Sequence, residues 1–165
     1  MNKILVSVMA AIAVPVGAAY AVDHPQIKEG LWQIRTQTIN NPGNKRTEGT
    51  VTLCRDHDYD KSVEALAKNI KGCITINESL EAGKFSSEVR CEIGSTVVVS
   101  KGTATFQNDA STHSETHATY TPVFYGIADV TMIQDQTYLG SCPAGMQPGD
   151  RKSQDGTIIK HMGKH

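Results

Sequence analysis

Cys73-Ile74-Thr75-Ile76-Asn77-Glu78-Ser79-Leu80-Glu81-Ala82-Gly83-Lys84-Phe85-Ser86-Ser87-Glu88-Val89-Arg90-Cys91 reads as a β-hairpin between two cysteines. Glu81-Ala82-Gly83-Lys84 is turn-forming, and the arms on either side carry strand-like apolar positions. A turn centred on Ala82 sets residue 73 directly opposite residue 91, which predicts a cross-strand disulfide. The same register sends Ile74 and Ile76 to the face opposite Phe85, Val89 and Cys91. A slip of one residue unites those apolar side chains but takes Cys73 off the face that carries Cys91, because facing alternates with a period of two. One extra residue in an arm, a β-bulge, reconciles the two demands.

Working outward, the strand period persists downstream. Ile74–Glu78, Phe85–Ile93, Val97–Gln107, Thr112–Thr121 and Gly126–Leu139 are candidate strands, with turns near Gly83, Gly94, Asn108-Asp109 and Pro122. Upstream, Gly30-Leu31-Trp32-Gln33-Ile34-Arg35-Thr36 and Thr50-Val51-Thr52-Leu53-Cys54 alternate in the same way around the turn Asn40-Asn41-Pro42-Gly43-Asn44. The period changes to that of a helix only in Tyr59–Ile70, where Val63, Leu66 and Ile70 recur. Asp60 is the expected N-cap there and Gly72 the expected stop. Thr157-Ile158-Ile159 is a last short strand, and residues 160–165 are expected to be a loose tail. The expected fold is mainly β: an antiparallel meander forming a curved or partly closed sheet, with one short α-helix packed on it and two disulfides as staples.

The leader explains why disulfides are expected. Met1-Asn2-Lys3 precedes an uncharged apolar run from Ile4 to Ala19 that ends in Ala19-Tyr20-Ala21, a small-x-small cleavage pattern. The run is short for a membrane span, which needs roughly 20 apolar residues, and it contains Pro15. Residues 1–21 are therefore expected to be a signal peptide and 22–165 a single exported β-rich domain, periplasmic or secreted, with no membrane span after cleavage. Cys54, Cys73, Cys91 and Cys142 all fall in that domain, and an even count in an oxidising compartment points to bridges. Four cysteines allow three pairings. The hairpin favours Cys73–Cys91 with Cys54–Cys142. The rival is Cys54–Cys73 with Cys91–Cys142, in which one bridge joins the two ends of the helical segment.

Losing Lys3 with the leader takes the formal net charge from −1 to about −2, and aromatic residues make up only 5% of the chain. Nothing in that balance suits nucleic acid. His113-Ser114-Glu115-Thr116-His117 is the most suggestive cluster. On a strand, His113, Glu115 and His117 share a face about 6.5–7 Å apart, and two imidazoles with a carboxylate could hold a metal. The run differs from the zincin motif H-E-x-x-H because the Glu comes one place late and the residues do not favour a helix. Asp56, Asp58 and Asp60 have the spacing that opens a calcium loop, yet Lys61 occupies the position where such a loop needs Gly. They suit the start of a helix better. The chain has no G-x-S-x-G nucleophile elbow and no Gly-rich phosphate loop, and no cofactor is expected. Trp32, the single tryptophan, is read as a core anchor or as the wall of a ligand pocket.

Several of these marks occur together in one known family. Pro25 followed by Gly30-Leu31-Trp32, a strand ending in Cys54, a short helix, a hairpin bracketed by Cys73 and Cys91, Tyr138-Leu139-Gly140-Ser141-Cys142-Pro143 and then Pro148-Gly149-Asp150 together resemble the exported bacterial family called domain of unknown function 3617. The resemblance implies a secreted or periplasmic cysteine-stapled domain of Gram-negative bacteria, and it supplies no catalytic residues. The expected function is a periplasmic or secreted non-enzymatic module that binds an envelope protein or a small ligand. The alternative is a hydrolase with His113 or His117 as its base, or a metal-binding protein built on His113, Glu115 and His117.

Overall fold

The computed structural model describes residues 25–161. The segment read as a signal peptide and residues 162–165 lie outside the described residues. The described chain runs β1 (Gly30–Asn41), β2 (Lys45–Arg55), α1 (His57–Lys68), β3 (Cys73–Glu81), β4 (Lys84–Ile93), β5 (Thr96–Asn108), β6 (Ser111–Phe124), β7 (Ile127–Gly140), β8 (Arg151–Ser153) and β9 (Ile158–Ile159). All the strands join one antiparallel sheet in the order β3-β4-β5-β6-β7-β1-β2-β8-β9. The expected meander is the run β3 to β7, joined by tight turns. The N-terminal hairpin then adds to it, with β1 alongside β7 over nearly its whole length. The sheet does not close: β3 is one edge and β9 the other.

The hairpin β3–β4 contains the bulge. Ala82 and Gly83, both at positive φ (48° and 77°), form a two-residue turn with Glu81 opposite Lys84, a geometry whose twist suits two strands. That register would set Cys73 opposite Glu92. Ile76, skipped between the pairs Thr75–Val89 and Asn77–Glu88, moves the remainder by one and sets Cys73 opposite Cys91. The bulge thus reconciles the disulfide with the Leu80–Phe85 pair. It does not recover the isoleucines, since Ile74 and Ile76 both remain exposed on the edge strand. Both expected bridges are present, Cys73–Cys91 and Cys54–Cys142; the rival pairing Cys54–Cys73 with Cys91–Cys142 is not formed.

Cross-strand register sorts the side chains onto two faces with different chemistry. On the face that carries Trp32, the positions contributed by β5, β6, β7 and β1 include no Asp, Glu, Lys or Arg. Lys101, Glu115, Asp129, Asp135 and Arg35 all point to the other face. Along β6 the uncharged face is buried or half-buried at Thr112, Ser114, Thr116, Ala118 and Tyr120, while Glu115, His117, Thr119 and Thr121 on the outer face are exposed. Shielding of this kind on a single-layer sheet with one helix above it marks a sheet curled toward the uncharged, inner face.

The fully buried core is small. Its apolar members Trp32, Leu53, Cys54, Ile27 and Met146 gather near one end of the sheet, while Val98 lies toward the other end of β5, opposite Tyr120. The Trp32 indole N–H donates to the Lys28 carbonyl at 2.8 Å, its ring meets Tyr138 edge to face at 5.8 Å, and Arg55 lies over it at 5.6 Å. Gly30, at φ 138°, presses so closely on the Gly140 carbonyl that a Cβ would collide with it, which accounts for glycine at the head of Gly30-Leu31-Trp32. One expectation needs correction here. Helix α1 begins earlier than the periodicity implied, capped by Asp56, whose side chain accepts from the Tyr59 amide at 2.7 Å. It ends at Lys68, with Asn69 rather than Gly72 as its stop. At the start of the segment expected to be a loose tail, Lys160 Nζ and the His161 amide both donate to the Asp150 carboxylate.

Candidate functional site

The connection from β2 to β3 joins strands at positions one and seven of the sheet, six inter-strand steps apart. Six steps of about 4.8 Å are about 29 Å measured along the sheet, and less straight across a curled one. The 12-residue helix α1 covers about 18 Å, and residues 69–72 turn the chain into β3, the Cys73 amide donating to the Ile70 carbonyl at 3.1 Å. The connection is therefore a strap across the inner face. Its ends are covalently fixed: Cys54 immediately precedes it and is bonded to Cys142, and Cys73 immediately follows it and is bonded to Cys91.

The strap does not pack down as a core helix would. None of its residues is buried, and its apolar positions Val63, Leu66 and Ile70 are 45%, 70% and 56% exposed. A groove of about 630 Å³ runs between strap and sheet, within the roughly 300–1,000 Å³ usual for small-molecule sites. Ala104 and Phe106 of β5, Thr112 and Ser114 of β6 and Gln136 of β7 form its floor. The strap side is Asp60, Lys61, Val63, Glu64 and Ala67, and Pro25–Ile27 with His57 form the mouth.

Arg55 occupies the base of the groove. Its Nε and Nη2 both donate to Asp60 Oδ1 at 2.8 Å, and Nη1 donates to Gln136 Oε1 at 2.9 Å. The same guanidinium lies over Trp32. It thereby ties the first turn of the strap to the floor and the core. Burial pushes the Asp60 carboxyl above its ordinary pKa, with the Arg55 cation pulling in the opposite direction. An acid shifted by desolvation at the base of a groove is a mark of functional sites. At the mouth, His57 Nε2–H donates to the Ile27 carbonyl at 2.9 Å, and its Nδ1 lies 3.1 Å from Glu29.

The residues singled out from sequence are distributed differently. His113, Glu115 and His117 do share one face, but it is the outer face, away from the groove. There each imidazole meets an aspartate of β7: His113 Nδ1 lies 2.6 Å from Asp135, and His117 Nε2 lies 3.3 Å from Asp129. Asn41 also donates to Asp129, at 2.8 Å. Among the described residues no three His, Cys, Asp or Glu converge closely enough to hold a metal ion. Neither histidine lines the groove under α1, nor the smaller one of about 270 Å³ between Leu31, Thr52, Met146 and Lys152. The three aspartates divide their roles: Asp56 caps α1, Asp58 stands in its first turn and Asp60 pairs with Arg55. Trp32, the candidate pocket wall, is completely buried and lines neither groove. It backs Arg55 instead. Sequence reasoning missed Arg55, Gln136, Phe106 and Ala104. The available signal was the absence of charge at alternate positions of β5 to β7.

Two disulfides in one chain are typical of oxidising compartments, and among the described residues no helix is long and apolar enough to cross a membrane. A comparison with curated proteins finds no match. A family model, in contrast, matches most of the chain, from Ile27 at the groove mouth to Cys142 at the strap's anchor. The chain belongs to the family described as a protein of unknown function (DUF3617), and the matched residues 27–142 take in β1 to β7, the strap and all four cysteines.

Proposed function

We propose that this is an exported, non-enzymatic binding module of the periplasm or the extracellular medium, and that the groove beneath α1 is its small-ligand site. One observation carries this reading: the inner face of β5, β6, β7 and β1 has no charged side chain and is half-covered, and among the described residues the only helix or strand over it is a strap with no buried residue. A single-layer sheet gains stability by burying one face, and this strap leaves that face to be covered by something else. A ligand that enters under α1 covers both the floor and the underside of Val63 and Ala67. Arg55, held by Asp60 and Gln136, keeps the base of the groove in shape before a ligand arrives, which lowers the ordering cost of binding.

The test is native mass spectrometry of the protein recovered from the envelope of its expression host, with disulfides intact. The expected spectrum contains a species heavier than the mature chain by one small molecule. Ala67→Trp, an exposed strap position turned toward the groove, is expected to remove that species and keep the fold. An adduct that persists in Ala67→Trp places the ligand elsewhere and overturns this reading.

A further inference from the structure

Resting on the reading of the groove as a ligand site, we infer that its occupant is an elongated amphiphile without net charge, with an apolar chain that lies between α1 and the inner face of β5 to β7. The walls argue for a chain. Ile27 of the N-terminal segment, Val63 and Ala67 of α1, and Ala104 and Phe106 of β5 supply apolar contact, and no residue of α1 is buried against the sheet, which leaves room for a long molecule beneath it. The floor continues beyond the groove along the same uncharged inner positions, through Gly102 and Thr116 to Ala118 and Val98. Cβ-free Gly102 keeps the surface low between Thr116 and Ser87, whose hydroxyls a methyl there would meet at 3.3 and 3.5 Å.

The charges argue for neutrality. The floor offers no charged side chain to neutralise a carboxylate, a phosphate or an ammonium, and taking an unpaired charge out of water onto such a surface is costly. The lining carries two fixed cations, Arg55 and Lys61, and two carboxylates, Asp60 and Glu64. Arg55 is committed to Asp60 and Gln136, Glu64 accepts from Lys68 at 2.6 Å, and Lys61 is an exposed strap residue. The raised pKa of Asp60 agrees with a poorly hydrated base. The hydroxyl and amide groups of Thr112, Ser114 and Gln136 then serve a neutral polar head, such as an alcohol, ester or amide, by hydrogen bonding.

The experiment is displacement of a neutral naphthylamine dye from the disulfide-intact mature protein at neutral pH. The competitors are a fatty alcohol, the fatty carboxylate and the alkylammonium of one chain length, each kept below its micelle concentration. The alcohol is expected to displace the dye at concentrations about tenfold lower than either ion. Ser114→Asp, which puts an acid on the floor, is expected to reverse the order in favour of the alkylammonium. Equal or better displacement by an ion in the unaltered protein overturns the neutrality and leaves the groove as a site. A dye that does not bind, or that binds Ala67→Trp equally well, overturns the groove itself.

Discussion

Asp150 is 2% exposed, and its carboxylate accepts hydrogen bonds from Lys160 Nζ at 2.8 Å, the Gln147 amide at 2.8 Å and the His161 amide at 2.9 Å. The Lys160 ammonium foremost, and then the two amides, hold its pKa down to about 2 from an ordinary 3.8. A carboxyl whose pKa is lower in the folded chain stabilises the fold above its unfolded value, and that contribution disappears as pH falls through the folded value. The window is therefore from just below pH 4 down to about 2. Hydrogen-exchange protection at Gln147 and His161, taken relative to the intrinsic exchange rate at each pH, is expected to fall as the pH drops across that window. Asp150→Asn is expected to show fast exchange already at neutral pH, and slow exchange in that variant would remove Asp150 from the account. Asp60 has the opposite sign: its raised pKa disfavours the folded chain as it ionises, a cost retained at the base of the groove. Asp150 was legible in the sequence only as part of a Pro- and Gly-rich stretch. Its partners come from residues before and after it in irregular backbone, where no period exists to be read. His113 and His117 are the converse, since period two placed them correctly on a common face and could not say that the groove lies on the other.

Helix α1 shows how a correct element can be assigned the wrong job. The recurrence of Val63, Leu66 and Ile70 promises a helix packed by that stripe, which is the usual meaning of helical period in a surface helix. The helix exists, and the stripe is exposed because the connection rides over the face rather than packing on it. Its stability then depends on its ends more than on its apolar positions. Asp56→Ala removes the cap and is expected to lower stability by about 1 kcal/mol. Leu66→Gln, at a position 70% exposed and with a side chain of similar helix propensity, is expected to change it by less than about 0.5 kcal/mol. Urea unfolding followed by circular dichroism measures both. A loss of about 2 kcal/mol or more from Leu66→Gln would mean that the stripe is packed after all. At the same scale, the β3–β4 hairpin was legible down to its bulge, since two cysteines and a turn over-determine its register. The adjacency of β1 and β7 was not, because pairing between strands nearly 100 residues apart leaves no local trace.

At the scale of the whole molecule, the two disulfides do more than close loops. The bridge from Cys54 to Cys142 encloses a sequence separation of 88 and that from Cys73 to Cys91 only 18. Chain entropy alone assigns them about 4.6 and about 3 kcal/mol. Stability is expected to rank accordingly, with Cys54→Ser/Cys142→Ser the more damaging pair of substitutions. Binding is expected to rank differently. Each bridge fixes one end of the strap beside the sheet, so losing either one is expected to loosen a wall of the groove. The cheaper loss, Cys73→Ser/Cys91→Ser, therefore separates the two roles. Urea unfolding of that variant is expected to show the smaller stability loss, while titration of the neutral dye, under conditions where circular dichroism shows the sheet intact, is expected to show affinity reduced about tenfold or more. If the shorter bridge served stability alone, the folded variant would bind the dye as well as the parent chain, and the view of α1 as a strap held at both ends over a binding face would fall.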